Sequence, residues 1–480
     1  MMASLNRVQP TTSAATTAVW FGGASLYIVA MSLGMRSLSY DIWGALVIGP
    51  ILATLTLPLL RKSVARDDPT MVNLISGAFV AKMVGACLRY YLTFKLYGEN
   101  ADAIGYHGGG SRLALAFWEG NYAEVYAQEI PDLMGTEFLR FTTGLLYIIT
   151  GPTMLGGFLV YSLLSFLGLY WFYRALRTAF PEADYRRYAW LLFFLPSLLY
   201  WPSSIGKEAW MMCTIGLATY GVAMILKHNT LGYPVAGFGL AGTAMVRPHV
   251  TALIFVSLFT AYMLRRKSWA ESKSGPFGKM IGVGVLLVAG GVVLSSTASF
   301  FDVDGANASS ATSVLERTEA QSGQGGSQFQ GARPFSPAQF PNATMAVLFR
   351  PYLWEASEPQ MMVAALEGSF LLWMFWTSRR RLARLPGLLF RVPFVAYCLA
   401  YTAMFIFAFS SIGNFGIMTR QRTQVFPFVL VLLCLPMRRI DDGDDMVDDA
   451  YRLGSPKRTR VRVDIPTHAA LPRPTSPFNN

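Results

Sequence analysis

The residues best equipped for chemistry in this 480-residue chain form one acidic segment and a scattered set of cations. ENADAIGYHGGGSRLA, residues 99 to 114, places Asp102 shortly before Tyr106 and His107. A carboxylate so placed can take a proton from a hydroxyl, and the phenol and imidazole beside it can orient the group that gives the proton up. The three glycines that follow offer a second chemistry, a concavity of backbone N–H groups for an anion. The plainer reading of the segment is a helix cap or a turn.

The cations sit in distinctive local sequences. Lys207 and Glu208 lie in LYWPSSIGKEAW, Arg247 and His249 in MVRPHV, Arg350 and Glu355 in FRPYLWEA, and Arg420 and Arg422 in GNFGIMTRQRTQVFPF. Arginine presents a planar fork that matches phosphate oxygens, and lysine acts as a point charge, so a set of this kind suits an anionic ligand. Snorkelling towards lipid headgroups is the alternative for each of them. Lys82 and Arg89 are seven residues apart and so share a helix face, with Glu367 a candidate partner for Lys82. Trp118, Trp201 and Trp354 could stack on sugar rings or anchor the chain at a membrane interface.

What positions these residues is a membrane-embedded helical chain. Hydrophobic residues make up 53% and charged residues only 14%, well below the charge content of soluble domains, so a soluble globular protein is excluded. Apolar runs predict about twelve transmembrane helices. They fall near 17 to 35, 42 to 60, 71 to 93, 152 to 173, 187 to 201, 208 to 226, 230 to 246, 249 to 264, 280 to 297, 360 to 377, 389 to 409 and 424 to 437. The first is read as a span, not as a cleaved signal, because one basic residue precedes it and another apolar run follows directly.

The net charge of +12 comes largely from short loops between apolar runs, which reads as topology and not as a nucleic-acid surface. If the spans alternate, RKSVAR (61 to 66), RALRTAFPEADYRR (174 to 187), RRK (265 to 267) and SRRRLAR (378 to 384) share one side. The positive-inside rule makes that side cytoplasmic, with both termini. The expected location is the inner (plasma) membrane, with a working face on the outer or periplasmic side.

Two long polar segments fall on that outer face. The first, 94 to 151, carries ALAFWEGNYAEVY and TEFLRFTTGLLYII, whose spacing predicts interfacial helices. The second, 298 to 359, is rich in Gly, Ser and Gln around SGQGGSQFQG and reads as a flexible loop. Residues 1–437 are therefore read as one transmembrane catalytic domain and 438–480 as a disordered cytoplasmic tail. The four cysteines are scattered through apolar segments without paired spacing, and they suggest neither disulfides nor a zinc site.

The pattern D-x-x-x-Y-H, from Asp102 to His107, followed by an interfacial helix, resembles the first outer loop of polytopic GT-C glycosyltransferases. PSLLYWPSSIGKEAW, FRPYLWEA and GNFGIMTRQRTQVFPF resemble segments of bacterial GT-C-like and polysaccharide-polymerase-like membrane proteins. The resemblance implies an all-α, polytopic GT-C-like fold and an inverting transferase. Its donor would be a polyprenyl-phosphate-linked sugar, its acceptor a glycan or lipid-linked molecule, and its surroundings membrane lipids. It implies Asp102 as general base, with His107 or Glu355 orienting acceptor or sugar. Tyr106, Lys207, Glu208, Arg247, His249, Arg350, Arg420, Arg422 and Arg89 are then substrate-binding candidates. No cofactor is specified, and a divalent metal is left open.

In that family the acidic loop follows the first span, whereas here it follows the third; two added N-terminal helices or a different span count would reconcile the two. A polymerase of lipid-linked repeat units needs the same cationic surface. A lipid-glycan flippase is the rival from another class, against which stands the lack of an internal repeat.

Overall fold

The computed structural model describes residues 14–37, 39–96, 102–264, 329, 331 and 337–437. Apolar segments in lipid must satisfy their backbone hydrogen bonds internally. Accordingly, all the regular elements among the described residues are helical and none is a strand. In chain order they begin with α1 (Ala14–Ser37), α2 (Tyr40–Asp67), α3 (Val72–Tyr91), α4 (Asp102–Glu119), α5 (Tyr122–Glu129) and α6 (Gly135–Thr150). The middle of the chain supplies α7 (Met154–Ala179), α8 (Tyr185–Phe194), α9 (Pro196–Tyr200), α10 (Lys207–Leu226), α11 (Gly232–Val246) and α12 (Pro248–Leu264). The last are α13 (Phe340–Phe349), α14 (Pro359–Thr377), α15 (Arg379–Leu382), α16 (Leu385–Arg391), α17 (Pro393–Phe409), α18 (Phe415–Gln421) and α19 (Phe426–Leu433).

Four stretches among the described residues are long and apolar enough to cross a membrane, Tyr40–Asp67, Pro69–Phe94, Met154–Ala179 and Lys207–Leu226. The bent pair α16 and α17, which meet at 117°, would make a fifth. The expectation of about twelve spans is thus carried over only in part, and the reasons are local. The run 187 to 201 is broken at Leu195, which is extended, before Pro196 opens α9. The run 389 to 409 is broken at Val392, before Pro393. The run 424 to 437 yields only the eight-residue α19, every residue of which is buried. The run 280 to 297, the RRK loop, most of the 298 to 359 segment and the tail lie outside the described residues.

At the centre lie α7 and α10, mostly buried, while α2 exposes Leu55 and Leu59 on the outside as a lipid-facing helix does. The two central helices touch backbone to backbone: a side-chain carbon on Gly216 would overlap the Gly168 carbonyl, and one on Gly168 would overlap that of Met212. Small residues permit this approach, as is usual where helices pack without a hydrophobic drive between them.

Three of the basic loops gather at one end of the helices. Arg174 pairs with Asp67 at 3.4 Å, Arg186 with Asp68 at 3.8 Å and Arg381 with Asp184 at 2.8 Å. Arg187 donates to Ser378 Oγ at 2.7 Å, and Arg381 and Arg384 donate to the carbonyls of Leu435 and Pro436. The sequence expectation that 61 to 66, 174 to 187 and 378 to 384 share a side is met by these contacts. From there α3 runs about 30 Å, at 1.5 Å per residue, before it ends beside the site described below.

Between α3, α7 and α14 sits α9, a helix of five residues. Both of its ends are met by charge. Glu367 of α14 accepts from the Ser197 amide at 2.6 Å and from Ser197 Oγ at 2.5 Å, at the helix N-terminus. Lys82 of α3 donates to the Leu198 carbonyl at 2.6 Å, in the last turn. Each charge matches the end of the helix dipole it faces. The suggested Lys82–Glu367 pair is therefore corrected. The two groups stand at opposite ends of α9, and Glu367 pairs instead with Arg422 at 3.7 Å. Lys82 and Arg89 do share a face of α3, as their spacing predicted, and between them Gly85 lets the Leu199 carbonyl approach.

Candidate functional site

At the far end of α3 from the basic loops, a cavity of about 300 Å³ opens among the ends of several helices. Its walls are Arg89 from the last turn of α3, Thr93 from the π-helical turn Leu92–Leu96 that follows it, and Asp102, Ala103 and Tyr106 from the first turns of α4. Phe158 comes from α7, Trp201, Ser204, Ile205, Gly206 and Glu208 from the turn into α10, Gln360 from α14, and Gly416 and Arg420 from α18. The local sequence explains the meeting. Pro202, Ser203 and Ser204 interrupt the apolar run after α9, and Ser203 Oγ folds back on the Leu199 carbonyl at 2.5 Å, which turns the chain into Gly206 and α10.

Asp102 begins α4, where a carboxylate suits the positive end of the helix dipole. Its side chain is 70% exposed, and its Oδ2 accepts from Arg420 Nη1 at 3.0 Å across 318 residues of sequence. Arg420 is held further by an Nε bond to the Gly416 carbonyl at 3.3 Å. Glu208, nearly enclosed, faces Arg247 at 3.8 Å, and Arg247 also donates to Gln421 Oε1. Arg89 packs into the corner of two near-perpendicular aromatic rings, with its guanidinium carbon 4.5 Å from the centroids of both Tyr200 and Trp201. Gln360 donates to the Tyr200 hydroxyl at 3.2 Å and so supports one of those rings. Tyr106 is buried against this wall. Burial first, then the Glu208 and Asp102 carboxylates, push its phenol up, so it stays protonated at neutral pH.

The structure brings together five of the residues singled out in the sequence, Asp102, Tyr106, Glu208, Arg420 and Arg89, with Arg247 directly behind Glu208. The single cradle of five cations is corrected. Arg422 turns away from the cavity into the protein, fully buried, with its guanidinium on the carbonyls of Arg350 and Ala364 and on Glu367. Arg350 stacks over Phe329 at 4.4 Å and is tied to Glu355, which also accepts from the Tyr352 amide at 2.9 Å. Burial raises the Glu355 carboxyl, but the Arg350 bond and the Tyr352 amide outweigh it and hold the group below its ordinary value. Arg350 and Glu355 thus close a turn. Neither they nor Arg422 line the cavity.

His107 also points elsewhere. Its Nδ1 is 2.7 Å from the Tyr147 hydroxyl on α6, in the contact between α4 and α6. His249 is half-buried beside Phe409, 6.0 Å between ring centroids. Lys207 makes no ion pair or hydrogen bond among the described residues, and it stands beside the cavity without lining it. The glycines after His107 form no anion nest, because they lie inside α4. Gly110 packs on Thr143 and Gly144 of α6, where a side-chain carbon would collide. From residue 102 to 150 the expected helices are present as α4, α5 and α6, with α4 and α6 packed antiparallel.

Sequence reasoning missed Gln360, Thr93 and Gly416. A glutamine in the first turn of an apolar helix was a readable signal for the first; the other two carried none. Among the tryptophans, Trp201 lines the cavity, whereas Trp118 and Trp354 are exposed.

The donor set does not fit a resident divalent metal. Among the described residues there is no group of three or more His, Cys, Asp or Glu side chains that could hold one, and each of the two cavity carboxylates already faces an arginine. Set beside protein-family models, curated proteins and solved structures, the chain matches none of them.

Proposed function

We propose that this chain is a membrane glycosyltransferase that moves a sugar from a polyprenyl-phosphate carrier to an acceptor hydroxyl at the outer face of the plasma membrane, building a cell-surface glycan. The observation that carries the reading is the meeting of Asp102 with Arg420 at the rim of a cavity that also holds Arg89, Tyr106, Glu208 and Trp201. Such a cavity offers a proton acceptor, cations and an aromatic face, which are the groups that sugar transfer from a phosphate requires.

In this mechanism the acceptor hydroxyl gives its proton to Asp102, and its oxygen forms a bond to the anomeric carbon from the side opposite the phosphate. The bond between that carbon and the phosphate oxygen breaks, and the electron pair leaves with the lipid phosphate. The phosphate gains one negative charge as it leaves. Arg420 and Arg89 are the groups at the cavity that can offset it. Asp102 Oδ2 is engaged by Arg420, so Oδ1 is the oxygen that takes the proton. Glu208, held by Arg247, orients donor or acceptor hydroxyls and does not titrate in the step.

The test is transfer by the full chain in reconstituted vesicles supplied with polyprenyl-phosphate sugars. Asp102→Asn should lower the rate by at least about 100-fold, the usual contribution of a general base, with thermal stability unchanged. Full activity of that variant removes Asp102 as base. Addition of one sugar per acceptor supports a transferase, and a ladder of products replaces it with a polymerase.

A further inference from the structure

Two guanidiniums reach the cavity, and they are in opposite states. Arg420 is engaged by Asp102 at 3.0 Å and by the Gly416 carbonyl at 3.3 Å. Arg89 sits in the corner formed by the Tyr200 and Trp201 rings, each 4.5 Å away, and no carboxylate lies within ion-pair distance of it among the described residues. Its Nε is buried without a hydrogen-bond partner. A buried N–H without an acceptor is costly, and a guanidinium already held in place loses little freedom when an anion arrives.

The balance of charge points the same way. Of the four charged groups on the cavity wall, Asp102 is matched by Arg420, and Glu208 is matched by Arg247 from behind. Arg89 has no ion pair of its own among the described residues and feels Glu208 only from beyond contact distance. The pair that could yield to an incoming anion is Arg420 with Asp102, because both side chains are in contact with solvent, 30% and 70% exposed, and water screens such a pair. The Arg247–Glu208 pair is only 12% and 14% exposed and is the less easily opened.

We propose that the Arg420–Asp102 ion pair is a latch opened by the ligand: a phosphate group settles on Arg89, draws Arg420 away from Asp102, and so frees the carboxylate only when the anion is in place. The inference takes from the proposed function only that the cavity's ligand carries a phosphate. Its consequence for transfer is an order of events, in which Asp102 gains a second open oxygen after the donor has bound and not before. Competition for Arg420 is reciprocal: the factor by which a bound anion weakens the Arg420–Asp102 pair is the factor by which that pair weakens binding of the anion.

The experiment is a double-variant binding cycle with farnesyl phosphate as probe and farnesol as control, read by tryptophan fluorescence of the full chain in nanodiscs. Asp102→Asn should tighten farnesyl phosphate binding about threefold to fivefold, the scale set by an exposed ion pair. Arg420→Gln should weaken it, and in the Arg420→Gln background Asp102→Asn should give no further gain. Arg89→Gln should weaken it about tenfold or more. Asp102→Ser serves as a second variant with the same expected pattern. A gain from Asp102→Asn that persists unchanged without Arg420 is simple relief of charge repulsion, and it overturns the latch. So does an affinity for farnesol equal to that for farnesyl phosphate.

Inorganic phosphate distinguishes the source of the ligand. The same cycle with phosphate alone supports a latch worked by the free anion, and a cycle seen only with farnesyl phosphate supports one worked by the lipid ester. Coupling without sugar transfer would sink the glycosyltransferase reading and leave the latch, whereas transfer without coupling would sink the latch alone.

Discussion

Glu367→Leu should destabilise the protein by about 3–5 kcal/mol, and adding Arg422→Met should restore about half of that loss. Glu367 is 4% exposed and Arg422 is 0% exposed, with 3.7 Å between them. Among the described residues Arg422 has no other carboxylate, and meets the carbonyls of Arg350 and Ala364 and the face of Phe426. Removing Glu367 therefore strands a charge inside the protein, which is the expensive case, while replacing both partners by apolar groups of similar volume is close to neutral. The double variant should keep a deficit of about 1–3 kcal/mol, because the Ser197 amide and hydroxyl lose the acceptor at the start of α9. Equilibrium unfolding in mixed micelles titrated with SDS, followed by tryptophan fluorescence, measures all three variants. A loss below about 1 kcal/mol for the single variant, or a double-variant loss equal to the sum of the two singles, would refute the reasoning.

Gly216→Leu should prevent α7 and α10 from seating and abolish recovery of monodisperse protein in size-exclusion chromatography, because the new side chain would occupy the place of the Gly168 carbonyl. Gly237→Leu, at a glycine of α11 with open space around it, is the control and should be recovered normally. A third expectation concerns pH. Burial depresses the His107 imidazole below its ordinary value, with the Asp41 carboxylate offsetting part of that effect. The folded chain then keeps His107 neutral where the unfolded chain takes up a proton, so the stability this group contributes is present above the unfolded pKa of about 6.5 and is lost as pH falls through it towards the folded value. Melting temperatures measured between about pH 5 and pH 8 should fall more steeply with acid for the parent than for His107→Gln, and parallel curves would contradict the assignment.

What could be read in the sequence was what local pattern dictates. Helical character, the common end of three basic loops, the folded segment after α3 and the shared face of Lys82 and Arg89 all follow from periodicity and charge placement. Asp102 and Arg420 were legible as groups, each in a polar interruption of an apolar chain. Their contact was not, because no local rule brings residues 318 apart to 3.0 Å.

The cations misled for a similar reason. Arg420 and Arg422 are two residues apart and look like one site, but on a helical turn that spacing sends them to different sides, one to the cavity and one to Glu367. Two of the expected spans are interrupted by proline. Composition over a window sees the run, and the backbone sees the break at Pro196 and Pro393. The glycines after His107 suggest a backbone anion nest in the sequence, but close packing against α6 is the reason they lie inside a helix.

The capped helix α9 also has a bearing on when the site can exist. Five residues cannot nucleate a stable helix alone, so α9 depends on the two charges that meet its ends. Lys82 is made 116 residues before the carbonyl it binds, but Glu367 is made 170 residues after Ser197. At about 5–20 residues per second, the ribosome needs roughly 10–30 s to travel that distance. During this interval the Tyr200 and Trp201 rings that clasp Arg89 lack the carboxylate that fixes the helix before them, and Arg420 follows later still. The cavity is a late product of synthesis, and a chain truncated before α14 could complete every earlier span and still have no site.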